Sequence, residues 1–206
     1  MLFDTRPYGW KSFLREIMAV VILFFLLHMP VAADPLKDKK DVFPSFGTGP
    51  VDVRIYASYF CPPCRAMEPE LEPIVKELVK TDTIRITFVD VPFAQAMPYI
   101  QHFLYALHED SSLDNAFTVR HILFDTAEKY GDEDDIRQAF ENEGIRYTPF
   151  DPTTVFMQFN QFLREDGIRS TPSATIRING KTNFYNGGRN ILPALEDLIS
   201  CQDEPK

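Results

Sequence analysis

Apolar and polar residues alternate over Val51-Asp-Val-Arg-Ile-Tyr-Ala-Ser58, a run rich in β-branched and aromatic side chains, and this predicts a β-strand. The period then changes. Apolar residues recur at Met67, Leu71, Ile74 and Leu78, a helical spacing that predicts a helix over 62–80. Thr83-Ile-Arg-Ile-Thr-Phe-Val-Asp-Val91 returns to strand chemistry, so the three segments form a βαβ unit whose crossover joins parallel strands. Much later, Ser173-Ala-Thr-Ile-Arg-Ile178, the pair Asn179-Gly180 and Lys181-Thr-Asn-Phe-Tyr185 predict a hairpin, because Asn-Gly supplies the positive φ values of a tight turn. Gly187-Gly188 then leads to a last helix from about Asn190 to Cys201.

Residues 92–167, between these two β sections, are punctuated as helices. Met97, Ile100, Phe103, Leu104 and Leu107 mark one; Phe117, His121, Phe124 and Ala127 mark another, closed by Gly131. Asp135 to Glu143, closed by Gly144, is a third, and Asp151-Pro152 caps a fourth that runs from Thr153 to Asp166 and ends at Gly167. The pattern therefore divides the chain into an N-terminal segment 34–50, an α/β part formed by 51–91 and 168–206, and a helical subdomain 92–167 inserted into it.

The first residues form a different kind of segment. Arg6, Lys11 and Arg15 precede the apolar run Ile17 to Leu27, and small residues follow at Val31-Ala32-Ala33, which are the three parts of a secretory signal. His28 and Pro30 end the run at about a dozen residues, short of the roughly 20 that a spanning helix needs. The expectation is a cleaved signal peptide over 1–33 rather than a retained anchor, with the mature chain in the periplasm or another extracytoplasmic compartment. The formal charge of -9 becomes -10 without those residues, which hold three basic and two acidic side chains, and nucleic acid is not an expected partner. Asp132-Glu-Asp-Asp135 reads as the solvated first turn of a helix rather than a metal site.

Against this background the chemistry concentrates at Cys61-Pro62-Pro63-Cys64, between the first strand and the first helix. Two thiols two residues apart close almost no loop, so a bond between them adds little stability and its use is exchange. By spacing Cys61 occupies the helix N-cap, with Pro62 and Pro63 in the first turn, where a missing N–H costs no intrahelical bond. Unpaired amides and the positive end of the helix dipole favour a thiolate there, so Cys61 is expected to be the acidic thiol and Cys64, one turn deeper, the resolving one. A CxxC pair alone is also half of a structural zinc site. His102, His108 and His121 offer no short pairing to complete one and read as surface or core histidines. Cys201, the third cysteine, reads as a packed apolar residue with a spare thiol as the alternative.

Thr171-Pro172 immediately precedes the hairpin, where proline is either an ordinary strand-edge residue or a cis peptide held beside the dithiol. Phe150, Phe156, Phe159, Phe162 and Leu163 have helix-face spacing and read as core.

The order strand, CxxC, helix, strand, helical insertion, Thr-Pro, hairpin and helix resembles the thioredoxin fold. With Tyr59-Phe60 before Cys61 and the leader, it is most similar to the DsbA-like branch of exported thiol-disulfide oxidoreductases, over roughly residues 45–201. The resemblance implies Cys61 as nucleophile, Cys64 as resolving cysteine and Pro172 as a cis-proline facing them, with Thr171 offering its backbone to substrate. Members of this branch often carry an acidic residue six positions before the first cysteine and histidine before the second. Here Ile55 and Pro63 stand at those positions, so a buried proton acceptor for Cys64 is not evident and Cys61 is expected to be less acidic than in such enzymes.

The implied function is disulfide exchange with exported cysteine-containing polypeptides, most directly as an oxidase. No cofactor or metal is expected, and a redox partner, in the family a quinone-linked membrane protein, would restore the disulfide. A reductase or isomerase and a non-catalytic chaperone or assembly scaffold are the alternatives. Residues 34–50 are too few for a dimerisation domain, and a monomer is expected.

Overall fold

Val53 and Ile55 point to one face of a strand and Arg54 and Tyr56 to the other, and all four find cover because this strand lies at the centre of a sheet with helices on both sides. The computed structural model describes residues 42–200; the leader reading of 1–33 and the reading of Cys201 concern positions outside them. The sheet consists of β1 (Ser45–Phe46), β2 (Val51–Ala57), β3 (Ile84–Asp90), β4 (Ser173–Ile178) and β5 (Lys181–Asn186), in the order β1-β3-β2-β4-β5. β2 and β3 run parallel, joined by α1 (Pro62–Lys80), and β1, β4 and β5 pair antiparallel with their neighbours. Ile55 lies opposite Phe88 on one side and Ala174 on the other.

The predicted βαβ unit and hairpin are present with boundaries shifted by a residue or two. Asn179 and Gly180 both have positive φ, 50° and 79°, as the two-residue turn demands. β1 lies within the segment that the pattern left without an element, because two residues carry no readable period. The buried stripe of α1 is Cys64, Met67, Glu68, Leu71, Val75 and Leu78. Val75 takes the place expected of Ile74, and a carboxylate occupies a position that periodicity assigns to an apolar side chain. Pro69 and Pro73 lie inside α1 on its exposed side, so the carbonyls that lose an amide partner there face water.

Four helices separate β3 from β4: α2 (Met97–Glu109), α3 (Leu113–Glu128), α4 (Glu133–Asn142) and α5 (Thr153–Glu165), after a 3-10 turn at Ala94–Ala96. The acidic run at 132–135 opens α4 as a capping box, in which the Asp132 side chain accepts from the Asp135 amide and the Asp135 side chain accepts from the Asp132 amide. α3 ends differently from expectation, with Tyr130 rather than Gly131 in the left-handed region, φ 56°. The last helix, α6 (Gly188–Ser200), packs on α1, where the Gly188 backbone lies against Met67.

The end of α5 is tied to the other face of the sheet through one carboxylate. Asp166 accepts from Arg54 Nη1 at 3.1 Å, from Thr175 Oγ1 at 3.2 Å and from the Tyr56 hydroxyl, while the Arg54 guanidinium lies 3.7 Å over the Phe162 ring. Phe43 packs edge-on to Phe159 and Phe162. Of the series predicted as core, Phe159 alone is fully buried; Phe150, Phe156 and Phe162 are half-buried against the core, and Leu163 turns towards the site described below.

The chain enters β2 through a close passage at Gly49, whose amide donates to Ile84 O at 3.1 Å and whose α-carbon faces the Thr83 carbonyl so nearly that a β-carbon would fall on it. Gly49→Ala is expected to destabilise the protein by about 1–3 kcal/mol, since the strand must shift to admit one methyl group. Denaturant unfolding measures this, and an unchanged midpoint would show that the passage is slack.

Candidate active site

The turn from β2 into α1 places two sulfur atoms at the N-terminus of a helix that buries one face. Cys61 is the N-cap, with φ -108° and ψ 103°, and its Sγ accepts from the Cys64 amide at 3.2 Å. Its carbonyl accepts from the amides of Cys64 and Arg65 at 3.0 and 3.1 Å, and its own amide donates to Ser58 O at 3.1 Å. Pro62 and Pro63 fill the first turn, where no amide is required. Cys61 and Cys64 are joined as a disulfide with Cα atoms 5.2 Å apart. Cys64 is 1% exposed, whereas Cys61 is half-buried, so an attacking group reaches the first sulfur and not the second.

The residues before β4 meet this bond from the far end of the sequence. Thr171-Pro172 is a cis peptide, and Cys61 Sγ lies 3.4 Å from Thr171 O. Pro172 is buried and its carbonyl accepts from Gly187 at 2.8 Å. The Thr171 backbone makes no backbone hydrogen bond among the described residues. A groove of about 400 Å³ runs from Cys61 along this segment, walled by Phe60, Val91, Phe93, Leu163 and Ile168, with Arg169 at its edge. Strand addition beside Thr171 and apolar contact in the groove are both available to an extended polypeptide.

Beneath the motif lies a charged cluster that periodicity did not reveal. Arg120 of α3 is 1% exposed; its Nε donates to Glu68 of α1, 2% exposed, and its Nη1 donates to Asp90 at the end of β3 at 3.3 Å. The Tyr59 hydroxyl donates to the other Asp90 oxygen at 3.2 Å. Phe88, Phe103 and Phe124 surround the guanidinium, with centroids 4.5, 5.7 and 5.5 Å away. Burial pushes Glu68 and Asp90 up from the ordinary carboxylate range against the pull of Arg120. Burial also works to lower Arg120, but Glu68 and Asp90 outweigh it and hold the guanidinium charged.

Ile55 leaves the entering strand without an acid, and the buried carboxyl one turn beyond Cys64 on the same helix face is Glu68, which Arg120 engages. A glutamate at i+4 from a buried cysteine is the signal that was legible. Its partner, 52 residues away, was not.

The histidines are separate from this site. His102 is buried, donates from Nδ1 to Pro98 O at 2.8 Å, and has its pKa lowered by burial; His121 lies beside Glu72. Among the described residues no group of three or more His, Cys, Asp or Glu is placed to hold a metal ion.

The comparisons with known proteins agree with this geometry. A family model described as Thioredoxin matches residues 48–186. A comparison with curated protein sequences found no match. Similar solved structures include a periplasmic thioredoxin-like protein from Salmonella enterica serovar Typhimurium, with TM-score 0.60 and 17% identity over 82% of this chain and 96% of that one. Proteus mirabilis ScsC in a transitional conformation has TM-score 0.61 and 18% identity, covering 94% and 88% of the two chains. Pseudomonas aeruginosa DsbA2 has TM-score 0.52 and 17% identity, covering 79% and 97%. With its parallel βαβ unit, helical insertion and hairpin, and a Cys61–Cys64 disulfide at the start of α1, the chain belongs to the thioredoxin family.

Proposed function

We propose that the protein is an exported disulfide oxidase that transfers the Cys61–Cys64 bond to cysteine-containing polypeptides. The observation that carries this reading is an accessible sulfur bonded to a buried one, at a helix N-terminus and 3.4 Å from a backbone carbonyl beside which an extended chain can pair. A client thiolate attacks Cys61 Sγ, the Cys61–Cys64 bond breaks, and Cys64 leaves with the electron pair and takes up a proton. A second client thiolate then attacks the client sulfur of the mixed disulfide, and Cys61 departs as a thiolate held by the first-turn amide of Cys64 and the helix dipole. The client loses two electrons and two protons; a redox partner, here a quinone-linked membrane protein, removes the electrons from the reduced pair.

Thr171 and Pro172 present the client strand, and Pro62 and Pro63 shape the turn that leaves Cys61 outermost. The leader-like residues 1–33 and the periplasmic description of a similar structure support an extracytoplasmic location, and the protein acts as a monomer.

The equilibrium of the dithiol with glutathione tests the direction. A potential near about -120 mV assigns the site to oxidation and one near about -270 mV to reduction; with Pro63 rather than histidine before Cys64, the value expected here is intermediate, on the oxidising side of that range.

A further inference from the structure

Three aromatic rings stand in a row beside Cys61, and the groove along Thr171 uses only one end of it. Phe93 is 6.0 Å from Phe60, and Phe60 is 6.4 Å from Tyr130. On the Tyr130 side Phe60 also walls a second depression of about 280 Å³, which has Tyr59 and Ala127 among its lining and Cys61 on its edge. Its rim carries the ion pair of Arg65 Nη2 with Glu128 Oε1 at 2.7 Å.

Tyr130 is held in place by unusual means. The Gly131 amide donates to Thr126 O at 3.1 Å and the Tyr130 amide to Ala127 O at 3.0 Å, which makes Tyr130 the left-handed residue of a Schellman ending, φ 56°. A β-carbon crowds the following carbonyl in that conformation, and glycine, which adopts it freely, stands one position later. The bulky residue is nevertheless the one placed there, and its ring is projected outward, 79% exposed. Of the four large hydrophobic side chains exposed among the described residues, Phe93 and Tyr130 flank Phe60 next to the reactive sulfur. Exposed rings gathered at one place mark a contact surface.

We infer that the depression between Phe60 and Tyr130 is a specificity pocket for an aromatic side chain within two residues of the client's cysteine. The inference rests on the exchange reading above. A client strand that pairs with Thr171 on one side of Cys61 carries its neighbouring side chains across the motif, and a ring arriving there stacks on Phe60 and Tyr130. The Arg65–Glu128 pair meets the polar edge that tryptophan or tyrosine presents.

The test uses the oxidised protein and single-cysteine peptides with tryptophan or glycine two residues before or after the cysteine, with glutathione as the ring-free thiol. The peptide thiolate attacks Cys61 Sγ and Cys64 leaves, and the mixed disulfide is trapped by acid and quantified by mass spectrometry. A tryptophan peptide is expected to react roughly three- to tenfold faster than its glycine counterpart, the range of an aromatic pair. Tyr130→Asn, which keeps a residue tolerant of the left-handed region, removes that advantage and leaves the glutathione rate unchanged; Tyr130→Phe keeps it. Equal rates for tryptophan and glycine peptides, an advantage that survives Tyr130→Asn, or a parallel fall in the glutathione rate overturns the pocket. Failure of glutathione to react at Cys61 in the unsubstituted protein overturns the exchange reading itself.

Discussion

Cys61→Ser is expected to reduce disulfide transfer to the uncatalysed background, while Cys64→Ser, in reduced form, is expected to accumulate mixed disulfides through Cys61. The asymmetry follows from exposure and position. Cys61 is the sulfur that a client reaches, and the Cys64 amide aimed at it favours negative charge there. A serine hydroxyl in the same place is neither ionised near neutral pH nor a sulfur that thiolates can attack. Cys64 is buried behind Cys61 and acts only when a mixed disulfide forms in front of it, so its loss leaves the first attack and removes the escape. Mass spectrometry of the acid-quenched protein after mixing with a disulfide-bonded client separates the two variants. Equal behaviour would mean that the sulfurs do not divide the work as their burial implies. Retained activity of Cys61→Ser in cells would instead favour a scaffold that merely uses this fold.

The second large effect is on stability. Arg120→Leu is expected to cost about 3–5 kcal/mol near neutral pH, because it leaves Glu68 and Asp90 buried without their common counter-charge. Three elements meet at this guanidinium: α1 through Glu68, the end of β3 through Asp90, and α3 through Arg120 itself. The substitution therefore loosens the insertion from the βαβ unit as well as exposing the charge imbalance. Denaturant unfolding measures the loss, and a cost below about 1 kcal/mol would show that the cluster is idle.

The same cluster sets the sign of a pH dependence. Even with Arg120 present, Glu68 and Asp90 have folded pKa values raised by burial. Between the unfolded values, about 4.3 and 3.9, and the raised folded ones, the native state binds more protons than the unfolded chain. Their contribution to stability is present in full below the unfolded values and is lost as pH rises through the folded ones. Without Arg120 both carboxyls move further up, so the penalty of Arg120→Leu is smallest where both are protonated in either protein and grows as pH rises from the folded values of the unsubstituted protein to those of the variant. A penalty that shrinks as pH rises would contradict burial as the cause.

Local pattern was a sufficient guide to the scaffold around the bond. The alternation at 51–57, the proline pair in the first turn of α1 and Asn179-Gly180 each carry their own geometry, because strand pleat, fixed φ and positive φ depend on near neighbours. Chain ends of elements were less legible. Gly131 is the residue that propensity nominates to close α3, yet Tyr130 takes the left-handed position, with Tyr99 donating its hydroxyl to Gly131 O at 2.5 Å. β1 is two residues long and exists because β3 offers it an edge.

The chemistry divides along the same line. Cys61 and Cys64 are the first and last of four residues in one turn, so their spacing alone placed them within bonding reach and gave them the helix N-terminus. Thr171 lies 110 residues from Cys61, and the pairing of β4 with β2 brings it there, since register carries Ser173 opposite Tyr56. Glu68, Asp90 and Arg120 are ordinary charged residues until folding removes water from all three at once. Periodicity counts positions along one element, whereas burial, counter-charge and the approach of a distant carbonyl depend on which elements pack together.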